Sequence, residues 1–447
     1  MAMKAYRAAI LRFNPEREPA RSAIYEEDGL LVVGPDAQGI QVVQAVGAYG
    51  DLRQQFSSVP TEHLPGRLIA PGFVDMHLHY AQTNVIGSPA AGLLPWLEKY
   101  TFPEEKRFAA PDYCAEAAQF FIAELLRNGV TTALAFATSH IESVDALFTA
   151  ALEHRMRLIT GLCLMDRHAP ADLLNRAAPD GSRDATEQSL IDSEALIQKW
   201  QGRGRLGYAI TPRFAPSCSS AQLRGAGELA AKYPEVWIQS HVAENADEIK
   251  WARELFPQSR SYLATYGDFG LLRPRAIYAH CLHLDATDRA LMRETGASAA
   301  VCPTSNLFLG SGCFDYGAAD RAGFQYGLAS DVGGGTSFSP FHTMLAAYCV
   351  GREGQSKAGL SLAPQHLWWQ HTLGAAQALG LAGQRGAPSV GNLQPGCEAD
   401  FVVLNPQATP LLARRTASAD SLDELLFAMI VLGDDRLVEK TVISQRL

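Results

Sequence analysis

The chain has 447 residues, 47% hydrophobic and 19% charged, with 38 basic against 47 acidic side chains and a formal net charge of −9. That length suffices for one large buried core or for two to three domains, and the ordinary composition argues against a disordered or fibrous chain. The acidic balance, with no Lys/Arg-rich run, argues against a nucleic-acid partner and leaves small neutral ligands open.

Eight cysteines without a Cys-x-x-Cys pair read as reduced thiols. The start, Met1 to Asn14, has no apolar core followed by a small-residue cleavage site, and no apolar stretch reaches the roughly 18 residues of a membrane span. The expected location is the cytoplasm, with no membrane partner.

In chain order, the first seventy residues read as strands. Leu30-Leu31-Val32-Val33 ends at Gly34-Pro35-Asp36, and 40–46 is a second apolar run between glycine-containing turns. A third run, 68–75, leads straight into His77 and His79. From there to about residue 385, apolar runs at 131–136, 157–164, 206–210, 236–240, 276–279, 298–301 and 325–329 read as strands. Helical stretches rich in Ala, Glu, Leu and Arg lie between them, as at 115–127, 187–200, 220–232 and 285–295. Eight such units, counting 69–75, predict an α/β fold, a (β/α)8 TIM-type barrel over 71–385. A doubly wound open sheet fits the same strand count. Past the barrel, Val390 to Gly396 reads as a turn, and 399–404 and 437–443 as two more strands. The strand-rich ends, 1–70 and 386–447, are expected to pair into a small composite β-sandwich domain.

Polar residues that carry chemistry stand at the ends of these strands, where a parallel barrel builds its active site. His77 and His79 lie two apart, so a strand turns both to one face. His241, His280 and Asp331 each follow a separate apolar run. Imidazoles with a carboxylate suit a borderline cation such as zinc, with one position left for water. A cation of this kind lowers the pKa of its water towards ~7. Glu244, three residues beyond His241, is placed to shuttle protons, and Asp331 can both bind metal and accept a proton. His280 reads either as a fourth ligand or as a donor that polarises the attacking water, and the second reading is preferred. Arg213 offers a planar fork for a carbonyl oxygen and a neighbouring ring nitrogen, and Phe214 a face for a flat heterocycle.

Pro71-Gly72-Phe73-Val74-Asp75-Met76-His77-Leu78-His79 resembles the opening signature of the amidohydrolase superfamily, and Gly391 to Leu404 resembles its closing β-domain strand. Within that superfamily the guanine deaminase branch is the nearest likeness. It is carried by His79-Tyr80-Ala81-Gln82-Thr83, by Pro95 to Glu105, by Thr211-Pro212-Arg213-Phe214, and by Ser240 to Asn245. Cys302-Pro303-Thr304-Ser305-Asn306, Asp331 to Ser337 and Leu432 to Arg436 add to it. The resemblance implies hydrolytic deamination of guanine to xanthine and ammonia. It implies one zinc per subunit held by His77, His79, His241 and Asp331, with Glu244, His280 and Asp331 as the catalytic groups. His79, Gln82, Arg213, Phe214, His241 and Asp331 would contact the guanine, and the assembly would be a homodimer. Ala81 stands where the branch commonly has Pro, which removes a fixed φ beside Gln82, and Cys397 where it commonly has Lys.

Overall fold

The computed structural model describes residues 3–89, 91–353, 362–382 and 389–444. The expected boundary at 385/386 lies outside them. The strands run β1 (Lys4–Phe13), β2 (Ala23–Pro35), β3 (Gln41–Ala48), β4 (Thr61–Pro71), β5 (Phe73–His79), β6 (Val130–Phe136), β7 (Arg157–Thr160) and β8 (Cys163–Leu164). They continue with β9 (Leu206–Pro212), β10 (Trp237–Val242), β11 (Ala276–His280), β12 (Ser298–Val301), β13 (Tyr326–Leu328), β14 (Phe401–Leu404) and β15 (Val438–Val442).

Eight strands make the barrel, all parallel, in the order β13-β12-β11-β10-β9-β7-β6-β5, with β8 pairing β9 beside that path. The seam between the first and last of them is bridged by backbone bonds. Asp331 N donates to His77 O at 2.9 Å and His79 N to Val332 O at 2.5 Å. This bridging decides for a barrel over an open sheet. Helices cover the outside. In Pro111–Arg127 the buried Cys114, Ala118, Phe121, Ile122 and Leu125 recur every three to four residues, the spacing that turns one helical stripe to the core. Inside, Val74, Met76, Leu134, Ile159, Trp237 and Ile277 pack a separate core beneath the site.

Two expected strands are interrupted. The run 68–75 divides at Gly72 into β4, which belongs to the terminal sheet, and β5, which opens the barrel. A Cβ on Gly72 would lie 2.2 Å from Thr131 Oγ1, so only glycine lets the chain pass so close to β6. The run 157–164 divides at Gly161, where a Cβ would lie 1.9 Å from the Ala209 carbonyl oxygen. In both places the apolar run is continuous in sequence and the obstruction comes from a distant strand.

The two ends of the chain pair in one six-stranded sheet, ordered β15-β14-β4-β1-β2-β3. One face buries Tyr6, Ile10, Leu31, Val33, Phe401 and Val403, and the other sets Ala5, Leu30 and Val32 against Tyr49, Leu52 and Phe56. Among the described residues no helix is long and apolar enough to cross a membrane. All eight cysteines are unpaired thiols.

Candidate active site

Chemistry-bearing side chains converge at the C-terminal ends of the barrel strands. β5 supplies His77 and His79, β9 leads into Arg213 and Phe214, β10 carries His241 and leads to Glu244, β11 ends in His280, and Asp331 follows β13. The alternation along β5 is not simple. Val74 and Met76 face the inner core while Leu78 joins the outer one, so the parity changes between them. The β5–β6 register shifts between Asp75 and Leu78, an irregularity that re-aims the strand and turns both histidines inward. His280 (φ 72°) and Asp331 (φ 51°) sit in the left-handed region, which a non-glycine residue occupies at a cost of about 1–3 kcal/mol. Hydrogen bonds to neighbouring strands hold them there.

His77, His79 and His241 bring their ring nitrogens within 4.8 Å of one another, and a second group of four, His77, His280, Cys302 and Asp331, lies within the same span. Asp331 Oδ1 lies 3.3 Å from His77 Nε2 and 3.5 Å from His79 Nε2, linking the two groups. The donor set fits a cation. His77 Nε2 is buried without a hydrogen-bond partner, and His79 Nε2 faces His241 Nε2 at 3.1 Å. His241 donates its Nδ1 hydrogen to the Arg213 carbonyl at 2.5 Å, which leaves a lone pair on Nε2. Burial, then the neighbouring rings, holds His79 and His241 well below the usual histidine range. Burial also lowers His77, against the pull of Asp331. Burial would raise Asp331, but His77 and His280 outweigh it and bring its carboxyl down to about 2. Neutral imidazoles and an ionised carboxylate are the protonation states a metal requires. Cys302 offers less. Its thiol donates to the Ala300 carbonyl, and burial pushes its pKa well up.

Across from this cluster, Glu244 Oε2 lies 3.3 Å from His280 Nε2, and Asp331 Oδ2 lies 3.9 Å from the same nitrogen. Asn306 Oδ1 accepts from His280 Nδ1 at 2.9 Å and fixes the ring. Glu244 Oε1 accepts from Ser311 Oγ at 3.2 Å. The Glu244 backbone is held as well. Glu248 Oε2 accepts the N–H groups of Glu244 and Asn245 at 3.1 and 3.2 Å, while Tyr262 donates to its other oxygen at 2.6 Å. Burial first, opposed by His280, raises the Glu244 carboxyl to about 7.

The remaining wall faces a cleft lined by His79, Gln82, Arg213, Phe214, His241, Glu244, His280 and Asp331, with Leu93, Leu94, Trp96, Leu97 and Leu309 supplying its apolar side. His77 adjoins this lining through Asp331, 3.3 Å from its Nε2. All the residues singled out in the sequence therefore gather at one place. Phe214 is half-buried and meets Trp251 edge-on, with ring centroids 5.8 Å apart. The residues that sequence reasoning left without a role are the supporting ones. They are Glu105, which pairs with Arg213 and Gln82, and Glu248, Asn306 and Ser311. Glu105 falls in a motif noted for its resemblance, but its partners are distant in sequence and no periodicity marks them.

Comparison with known proteins agrees with this arrangement. The amidohydrolase family pattern matches residues 68–446. The chain is 42% identical to the guanine deaminase of Escherichia coli (strain K12) over 97% of its own length and 94% of that protein. Its structure superimposes on a guanine deaminase from Bradyrhizobium japonicum with a TM-score of 0.89 at 33% identity, covering 99% of this chain and 98% of that one. A guanine deaminase from C. acetobutylicum, solved with guanine in its active site, gives a TM-score of 0.86 at 28% identity over the same shares of the two chains. The chain belongs to the amidohydrolase family, in its guanine deaminase branch.

Proposed function

We propose that this chain removes the exocyclic amine of guanine by hydrolysis, giving xanthine and ammonia, with one zinc ion per chain held by His77, His79, His241 and Asp331. The observation that carries this reading is the meeting, at one cleft, of a cluster of three neutral imidazoles and an ionised carboxylate with a wall bearing Arg213, Gln82 and Phe214. A bound zinc would supply Lewis acidity and a water acidic enough to attack near neutral pH.

The protein's own groups do the rest. Arg213 and Gln82 present N–H donors to the ring's carbonyl oxygen and nitrogens, and Phe214 lies against its face. Glu244, poised near neutrality, gives its proton to the ring nitrogen next to the amine-bearing carbon. Water oxygen bonds to that carbon while Asp331 accepts a proton from it, and His280 Nε2 orients the water. As the C–N bond breaks, the proton on Asp331 passes to the departing amine, which leaves as ammonia. The new hydroxyl returns its proton to Glu244, so each group regains its starting state. A homodimer in the cytoplasm completes the proposal.

The test couples elemental analysis of the purified protein to ammonia release from guanine, 8-oxoguanine and ammeline. About one zinc per chain and a clear preference for guanine are expected. Negligible guanine turnover in metal-loaded protein sinks the assignment. His77→Ala should lose most of the bound zinc, and full occupancy would remove His77 from the ligand set.

A further inference from the structure

Glu105 is 2% exposed, and its carboxylate takes Arg213 end-on, with NH1 to Oε2 at 2.6 Å and NH2 to Oε1 at 3.0 Å. Its Oε1 also accepts from Gln82 Nε2 at 3.0 Å. Gln82 Oε1 in turn faces the Gly333 N–H at 3.4 Å, so the amide is held at both ends and its orientation is settled by its partners. One buried acid thus fixes both polar groups of the wall that would read the ring. It also cancels charge. Arg213 lines the cleft as a guanidinium, with the centre of the Phe102 ring 5.6 Å from its Cζ. Glu105 is the anion that pairs with Arg213.

We infer that Glu105 is a positioning and specificity-determining residue: it makes the ring-binding wall electrically neutral, so that the wall takes a purine without favouring its anion over its neutral form. The inference rests on the purine reading of the cleft given above. Its chemical sense is product release. A dioxopurine such as xanthine is more acidic than guanine, and an unneutralised arginine in a buried site would retain the anion by charge-assisted hydrogen bonds. With Glu105 in place, Arg213 keeps hydrogen-bond donors for a carbonyl oxygen while the pair carries no net charge.

The test uses xanthine as a competitive inhibitor, measured below and above its first ionisation, against hypoxanthine, which stays neutral over the same span. In the wild type the ratio of the two inhibition constants should change little between the two conditions. Glu105→Gln should shift that ratio towards xanthine by about tenfold above its ionisation and hardly at all below it. The same variant should raise KM for guanine more than it lowers kcat. Glu105→Asp, which keeps the charge, should retain the wild-type ratio. If Glu105→Gln fails to fold, Arg213→Gln supplies the opposite sign: an unpaired Glu105 should disfavour the xanthine anion by a similar factor. An unchanged ratio in the folded Glu105→Gln protein, or in Arg213→Gln, overturns the inference. Wild-type guanine turnover is measured in the same series. A silent wild type rejects the reaction, whereas normal turnover with unmoved ratios rejects only the role of Glu105.

Discussion

Glu244 is buried among polar and ionic groups. His280 and Ser311 touch its carboxylate, Glu248 holds its backbone, and burial lifts it to about 7. A carboxyl in that range exists in both forms near neutrality, which proton transfer in both directions requires. Glu244→Gln keeps the shape and the hydrogen bond from Ser311 but cannot exchange the proton. It should retain its zinc and lose kcat by about 10²–10⁴-fold, checked by elemental analysis beside steady-state kinetics. A near-normal rate would take Glu244 out of the mechanism. At this scale the sequence was legible wherever a polar residue ended an apolar run, as with His241, His280 and Asp331. It was not legible where one buried polar group answers another far away. Glu105 waits for Arg213 across more than a hundred residues, and nothing local to either announces the pair.

Strands and helices were readable from hydrophobic period, since each buries a stripe or a face. Helix Ser220–Lys232 falls where the pattern put it, and its N-cap Ser219 accepts from Gln222 N. The breaks were hidden. Gly72 interrupts what reads as a single strand because Thr131 of β6 occupies the space a side chain would need. Gly72→Ala should therefore destabilise the protein by about 1–3 kcal/mol, read from urea denaturation with the zinc content held constant. A loss below about 0.5 kcal/mol would mean that Thr131 moves aside freely. The irregularity in β5 is a related case. Spacing alone puts His77 and His79 on one face, but a strict alternation from Val74 would turn that face away from the barrel interior.

The barrel and the terminal sheet are joined at the end of the barrel opposite the site. Arg205, just before β9, contacts Asp400 and lies 2.5 Å from Glu398 Oε2, while Arg157 at the start of β7 lies 2.5 Å from Glu398 Oε1. These acids directly precede β14, and Gly72 N donates to the Asp400 carbonyl at 3.1 Å. Removing one member of such a network strands buried charge, so Arg205→Ala should cost about 3–5 kcal/mol. Because the network is remote from the cleft, KM for guanine should stay near wild type at temperatures where the variant is folded. A large KM change with unaltered stability would place Arg205 in the wrong role. Nothing local in the sequence marks these charges as partners. Only the packing of the terminal sheet against the barrel turns them into an internal fastening.

The seam between β5 and the segment after β13 is bridged through the very residues proposed to grip the ion, Asp331 to His77 and His79 to Val332. The ring is therefore clasped by its own ligands. The first barrel strand must meet the last before this proposed cage exists, so an ion held there would be taken up late in folding. Stripping the ion from finished protein should likewise loosen this clasp first, and the amide hydrogens of His79 and Asp331 should exchange with solvent before those of β10 and β11, whose strands are zipped on both sides.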